Sequence, residues 1–269
     1  MTAMNQPAST HTESSSQTRR VNLNADLGES FGAWTMGSDQ ALLRIVNSAN
    51  IACGFHAGDP LVMRRTVRAA IAAGVDIGAH PSFPDLQGFG RRRMYVPAEE
   101  LEAILLYQIA ALDGIARSEG SRVVHVKAHG ALSNMACEDS ALADVVVKAI
   151  RAYDEKLILL APAQSCLTAA GYRAGMKVVE EIYADRAYAD DGKLVPRGQP
   201  GAMIHGAQAS VEHVSAMLDA SALVSVTGKH IPTPIGSICV HGDGPDAVQT
   251  AEALRSALTA RSCVLQGLA

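Results

Sequence analysis

Asp26 and Glu29 stand three residues apart in a turn punctuated by Gly28 and Gly32, and they open a series of ionisable residues that each follow a short apolar run. Ala49-Asn-Ile-Ala-Cys-Gly-Phe leads into His56 and Asp59, and Val75-Asp-Ile-Gly-Ala ends in His80. Val123-Val-His-Val runs into Lys127 and His129, and Ser237-Ile-Cys-Val into His241 and Asp243. Two carboxylates as close as Asp26 and Glu29 repel, so either one holds a raised pKa and serves as acid or base, or both meet a cation. His56 and His80 suit two chemistries: general base and electrophile without a metal, or, together with Asp26, ligands of a divalent transition ion. Residue types and spacing leave both open. An unpartnered ammonium is costly to bury, so Lys127 is expected to stabilise a developing oxyanion or hold a phosphate. His129 lies two residues on and shares its face, whereas His125 reads as a core residue.

Further groups point to an anion. Gln87-Gly-Phe-Gly-Arg91-Arg92-Arg93 is a glycine-punctuated loop carrying guanidinium groups, an expected anion cradle. Glu180-Glu181 and Asp185-Arg186, with Arg197 in the long loop after them, are expected to close over a substrate as a lid. His241 and Asp243 precede a helix start, where backbone N–H groups favour an anion. Neither GxxxxGK[ST] nor GxGxxG occurs, so a P-loop and a Rossmann dinucleotide site are unsupported.

These residues need a scaffold that gathers them. Parallel strands of an α/β barrel aim their C-terminal ends at one face, so five ionisable strand ends read as one active site. Asp59-Pro60 predicts a helix start and Gly74 its end; Pro97 to Ser118 predicts a second helix with Leu101, Ile104, Leu105, Gln108, Ile109 and Leu112 on one face. Strand patterns at about 156–161, 177–182, 223–226 and 237–240 alternate with helices at about 139–153, 210–219 and 246–260. The alternation predicts a parallel sheet with right-handed crossovers. Polar groups at so many strand ends favour a barrel over an open sheet, whose site gathers at one switch point.

With 269 residues and no composition break, residues 21–269 read as a single catalytic domain, preceded by a disordered Ser/Thr/Gln-rich tail at 1–20. A net charge of −4 without a basic stripe excludes a nucleic-acid surface, and no run suits a membrane span. Five dispersed cysteines without CxxC spacing argue against a disulfide framework and for a reducing, cytoplasmic setting.

Asn24-Ala-Asp-Leu-Gly-Glu-Ser-Phe-Gly32, Ser48 to Pro60, Gly78-Ala-His-Pro81, Asp85 to Arg92 and His129-Gly-Ala-Leu132 resemble the LamB/YcsF family. The resemblance continues through Ala184 to Tyr188, Val195-Pro-Arg197 and Cys239 to Asp243. That family is the lactam-utilisation group described as the A component of bacterial 5-oxoprolinase. The resemblance implies a seven-stranded parallel (β/α) barrel of deacetylase-like type. It also implies ATP-dependent opening of 5-oxo-L-proline to L-glutamate, with Mg2+ accompanying ATP and subunits B and C as partners. On that basis Asp26, Glu29, His56, His80, Lys127 and His129 are the expected catalytic set. Arg91, Arg92, Asp185, Arg186, Arg197, His241 and Asp243 are the expected substrate or phosphate contacts. Ala128 and Ser133 depart from the family's usual Pro and Tyr, and Ser82-Phe83 from its Gly-Tyr, changes that bear on pocket shape. Two other functions compete: a stand-alone metal-dependent amide hydrolase or deacetylase with Asp26, His56 and His80 as ligands, and a non-catalytic lactam-binding subunit.

Overall fold

The polar residues at positions 22, 24 and 26 alternate with Leu23, Ala25 and Leu27, and this two-residue period sets the architecture: one face of the first strand turns inward, the other packs on helices. The computed structural model describes residues 19–241, 244 and 246–269. Its first half runs β1 (Arg20–Leu27), α1 (Asp39–Leu42), β2 (Ser48–Ala52), α2 (Pro60–Ala73), β3 (Asp76–His80), α3 (Ala98–Ser118), β4 (His125–Val126), α4 (Gly130–Glu138) and α5 (Ser140–Tyr153). Its second half runs β5 (Ile158–Pro162), α6 (Cys166–Arg173), β6 (Val178–Tyr183), α7 (Ala207–Ala220), β7 (Ala222–Val224), β8 (His230–Pro232), β9 (Ser237–Val240), α8 (Ala247–Ala260) and β10 (Val264–Leu265). Strands β1 to β6 pair in chain order, β9 pairs with β6, and β9 pairs again with β1. The sheet therefore closes as a seven-stranded parallel barrel, a single domain, with β10 extending β1 at Arg20↔Val264.

The helices start and stop where local chemistry requires. Asp59 caps α2 by accepting from the backbone N–H groups of Leu61 and Val62 at 2.8 and 3.1 Å, and Gly74 ends it in the left-handed region at φ 67°. Helix α3 buries Leu101, Leu105, Ile109 and Leu112 at helical spacing, with Gln108 among them. Gln108 holds both backbone groups of Ser82, accepting from its N–H at 3.0 Å and donating to its carbonyl at 2.8 Å. An apolar-looking helix face thus fixes the chain just beyond His80.

Two expectations change, and one helix was not anticipated. Residues 1–18 of the expected tail lie outside the described residues, but Arg19 donates to the Leu218 carbonyl at 2.5 Å and Arg20 already pairs in β1, because β10 offers that edge a partner. The short strand near 223–226 is β7, which pairs antiparallel with β8 in a ribbon outside the barrel. Helix α4, for which no strong apolar period exists, follows directly on His129.

Candidate active site at the barrel mouth

The barrel interior is polar from the bottom up. Ser237 Oγ donates to Asn22 Oδ1 at 2.8 Å, and Asn22 Nδ2 donates to Ser48 Oγ at 2.8 Å. One layer higher, Asn24 Nδ2 donates to Ser237 Oγ at 2.8 Å, and Asn50 Nδ2 donates to Asn24 Oδ1 at 2.7 Å and to Asp26 Oδ1 at 2.8 Å. His125 Nε2 faces Asn50 Oδ1 at 2.8 Å, and burial pushes its pKa down to about 3, so the neutral ring donates there. Gly78 leaves room for that ring: a Cβ on it would lie 2.0 Å from His125 Nε2. This ladder leads up to Asp26, whose carboxylate is positioned from below.

Asp26 and Lys127 form the floor of the mouth. Lys127 Nζ lies 3.1 Å from Asp26 Oδ1, 2.8 Å from Glu181 Oε2 and 3.0 Å from Cys239 Sγ, with the Tyr183 ring 5.4 Å from it. Lys127 is only 2% exposed. Burial works against its charge, but Asp26, Cys239 and Glu181 outweigh burial and hold its pKa well above the usual lysine value. Burial alone would raise Asp26, yet the His80 ring beside it and the Lys127 ammonium keep it well below the usual carboxylate range. Glu181 goes the other way: burial raises it, and Lys127 only partly compensates. Neither carboxylate oxygen of Glu181 makes an aligned hydrogen bond among the described residues, although the ion pair with Lys127 is close.

The imidazoles stand above this floor. His80 Nε2 lies 3.3 Å from Asp26 Oδ2 and 2.9 Å from His129 Nδ1. The His56 ring stacks on His129 with centroids 3.8 Å apart and planes within 5°, and its Nε2 is 3.3 Å from Glu29 Oε1. Burial, then neighbouring imidazoles, lowers the pKa of both His56 and His129 well below the ordinary value, so both rings are neutral. Asp26 faces Lys127 and His80, while Glu29 faces His56 and His129, so the two carboxylates have separate surroundings.

A cavity of about 670 Å³ opens above these groups, with Asp26, Glu29, His80, Lys127 and His129 in its wall. Arg91, Arg186, Arg197 and His241 also line it, so these expected anion contacts converge on the same space. Arg186 is 4% exposed; it donates from Nη2 to the Val195 carbonyl at 2.8 Å, and its Nε has no hydrogen-bond partner among the described residues. Burial, then the like charge of Arg197, lowers the Arg186 pKa. Asp185 is engaged by His241 Nδ1 at 2.8 Å, and His241 Nε2 faces Arg197 Nη2 at 3.4 Å. Arg92, expected as an anion contact, is not brought into the cavity: the buried Asp85 carboxylate accepts from its Nε at 2.8 Å and turns the guanidinium away. Asp243 lies outside the described residues.

Reading the residues in order placed Glu180 and Glu181 in a lid, whereas both lie in strand β6 and Glu181 is buried against Lys127 on the floor; it missed Cys239, Tyr183 and the Asn–Ser ladder as part of the site. The signal was present as polar residues two apart, at 22, 24 and 26, at 48 and 50, and at 237, 239 and 241. His125, read as core, belongs to the same ladder.

Fold and cavity together define a barrel enzyme with its charged chemistry at the C-terminal mouth. The chain belongs to the LamB/YcsF family, whose family model matches residues 21–269. It is 61% identical over 249 residues to a protein of Azoarcus sp. named as the A component of 5-oxoprolinase, covering 93% of this chain and 97% of that one. A protein of the same name from Methylococcus capsulatus is 51% identical over 250 residues, covering 93% and 96%. The crystal structure of a lactam utilization protein from Thermus thermophilus superposes with a TM-score of 0.87 at 38% identity, covering 93% of this chain and all of that one. The catalytic domain of a peptidoglycan N-acetylglucosamine deacetylase from Eubacterium rectale shares the fold at a TM-score of 0.50 and 12% identity, covering 98% and 94%. No helix among the described residues is long and apolar enough to cross a membrane.

Proposed function

We propose that this chain is the A component of a 5-oxoprolinase that opens 5-oxo-L-proline to L-glutamate, coupled to ATP hydrolysis and working with subunits B and C. The observation that carries the reading is the 61% identity over nearly the full length of a relative bearing that name. The mouth suits the chemistry. A five-membered lactam is resonance-stabilised, and transfer of the γ-phosphoryl group of ATP to its carbonyl oxygen makes C5 electrophilic. Water adds to C5, the C5–N bond breaks as a proton passes to nitrogen, and γ-glutamyl phosphate results. A second water hydrolyses this acyl phosphate to glutamate and phosphate.

Asp26, His80 and His129 form a run of close contacts that moves the protons of these steps. Lys127 supplies fixed positive charge for oxygen in the transition state. Glu29 and His56 orient His129. Arg186 and Arg197 take the substrate carboxylate, with His241 held toward them by Asp185. Arg91 faces transferred phosphate. Mg2+ enters with ATP; it favours oxygen ligands, which the nitrogen-rich surroundings of Glu29 do not offer.

The test is glutamate release from 5-oxo-L-proline with and without ATP and Mg2+, comparing the chain alone with the chain plus subunits B and C. ATP-dependent glutamate only in the full mixture is the expected result, and none with all subunits folded overturns the reading. A second reading, a stand-alone metal-dependent amide hydrolase, is favoured by one observation, the convergence of Glu29 with imidazoles. ATP-independent turnover by the chain alone would select it.

A further inference from the structure

Two backbone carbonyls fix which nitrogens of His80 and His129 carry hydrogen. His80 Nδ1 lies 2.7 Å from the carbonyl oxygen of Lys127, and His129 Nε2 lies 2.9 Å from the carbonyl oxygen of Phe89. A carbonyl oxygen only accepts, so each of those nitrogens carries the hydrogen. The other two nitrogens, His80 Nε2 and His129 Nδ1, face each other at 2.9 Å. With one hydrogen per ring, both present lone pairs, which repel at this distance unless an electron-pair acceptor lies between them. That acceptor is either a shared proton or a metal ion.

Three observations favour the metal. Glu29 Oε1 lies 3.7 Å from His129 Nδ1, and the ligand atoms of Glu29, His56, His80 and His129 all fall within 4.8 Å of one another. The two carbonyl acceptors are the outer partners that fix a metal-binding imidazole's tautomer and aim its free nitrogen. Glu29, His80 and His129 all border the cavity, which leaves coordination positions open to a small molecule. The neighbouring trio of Asp26, Cys239 and His241 is grouped as closely, but the Lys127 ammonium sits 3.1 Å from Asp26 and 3.0 Å from Cys239 and already supplies the cation there.

We infer that His80 Nε2, His129 Nδ1 and the Glu29 carboxylate form a binding site for a divalent transition ion of the zinc or cobalt class. Bonds of about 2.0–2.1 Å reach both imidazole nitrogens from a point between them, and a two-nitrogen, one-carboxylate set suits such ions. His56 lies parallel to His129 and its Nε2 faces the Glu29 carboxylate, which only accepts, so that nitrogen carries hydrogen and the ring supports the ligand ring. The set keeps His80 from the trio expected from sequence and replaces Asp26 and His56 with Glu29 and His129. An ion there takes the place of the proton path between His80 and His129 and leaves the reading of the overall reaction otherwise as proposed.

The test is titration of chelator-stripped full-length protein with Co2+ and Zn2+, read by visible d–d absorption and calorimetry, not by turnover. Wild type is expected to bind one equivalent. Glu29→Gln and His129→Phe are expected to weaken binding at least about 100-fold, more than loss of an outer partner does, while Arg197→Met in the same cavity binds as wild type does. Circular dichroism establishes that each variant is folded. Should a variant fail to fold, the imidazole 15N resonances of wild type give the answer, since metal must shift those of His80 and His129. Absence of stoichiometric binding, unchanged binding by folded His129→Phe, or unmoved 15N resonances overturns the site and leaves a shared proton between the rings.

Discussion

The floor and the upper wall of the barrel mouth meet at His80 and Asp26 but solve different electrostatic problems. On the floor, one ammonium lies among Asp26, Glu181 and Cys239, so the cluster is complete with its own cation. On the wall, imidazole lone pairs and the Glu29 carboxylate converge on one point at the edge of the cavity. The contrast teaches which part is fixture and which part is receiver. The floor's charges are matched within the chain, while Glu29, His80, His129 and the Arg186–Arg197 rim face the cavity. A buried ion cluster is costly to desolvate and weak evidence for stability, so its retention at Lys127 fits a catalytic purpose.

Removing the floor's cation should have the largest effect. Lys127→Met is expected to lower coupled glutamate release by about 100- to 1,000-fold, the loss typical of one transition-state donor. It should also lower unfolding free energy by about 3–5 kcal/mol, because Asp26 and Glu181 lose their partner. Adding Glu181→Gln should recover part of that stability in urea titrations and none of the activity; full activity in Lys127→Met would remove the floor from the mechanism.

On the rim, Arg186→Met is expected to raise KM for 5-oxo-L-proline by about 10- to 100-fold with kcat little changed. That matches a hydrogen bond to a charged group at about 1.5–3 kcal/mol, and steady-state kinetics would show an unchanged KM if the carboxylate binds elsewhere. Gly78→Ala should cost about 1–3 kcal/mol by forcing a methyl group into the His125 ring, as overpacking does. The check is the urea midpoint.

The smallest effect sharpens the comparison through pH. His56, His125 and His129 all have folded pKa values below the ordinary imidazole value near 6.5, so the unfolded chain binds more protons as pH falls below that value. Stability they allow is present above about pH 6.5 and is lost on acidification, for His125 down to its value of about 3. Asp26, held low, keeps its contribution until pH falls through its own depressed pKa. The buried histidines should therefore lose their contribution before Asp26 does. Urea unfolding at pH 7 and pH 5 should show a loss that shrinks by up to about 1.4 kcal/mol per pH unit in His125→Gln, and an unchanged loss in that variant would contradict the assignment.

Much of this was legible in residue order. Asp59-Pro60 and Gly74 bound α2 because capping is local chemistry, and the apolar face of α3 follows from helical spacing alone. Lys127, His80 and His129 stood out because ionisable groups after apolar runs are rare without a purpose. Other features needed three dimensions. Glu180 and Glu181 are adjacent and chemically alike, yet Glu180 accepts from Thr233 Oγ1 at 2.9 Å and Glu181 faces Lys127. Which of them turns inward depends on register with β9, where Glu181 pairs with Ser237. Arg91 and Arg92 likewise diverge, one into the cavity wall and the other onto Asp85, a choice set by the path of one loop.

Sequence by itself determined the strand–helix alternation, the family, the apolar packing faces and the inventory of reactive groups, since these follow from local periodicity and residue type. Tertiary structure alone decided that β7 leaves the barrel, that Lys127 sits between Asp26 and Glu181, and that two histidines 49 residues apart face each other at 2.9 Å. Closure of the barrel brings distant strand ends within bonding reach, and the sign and strength of their interactions depend on separations that chain order does not contain.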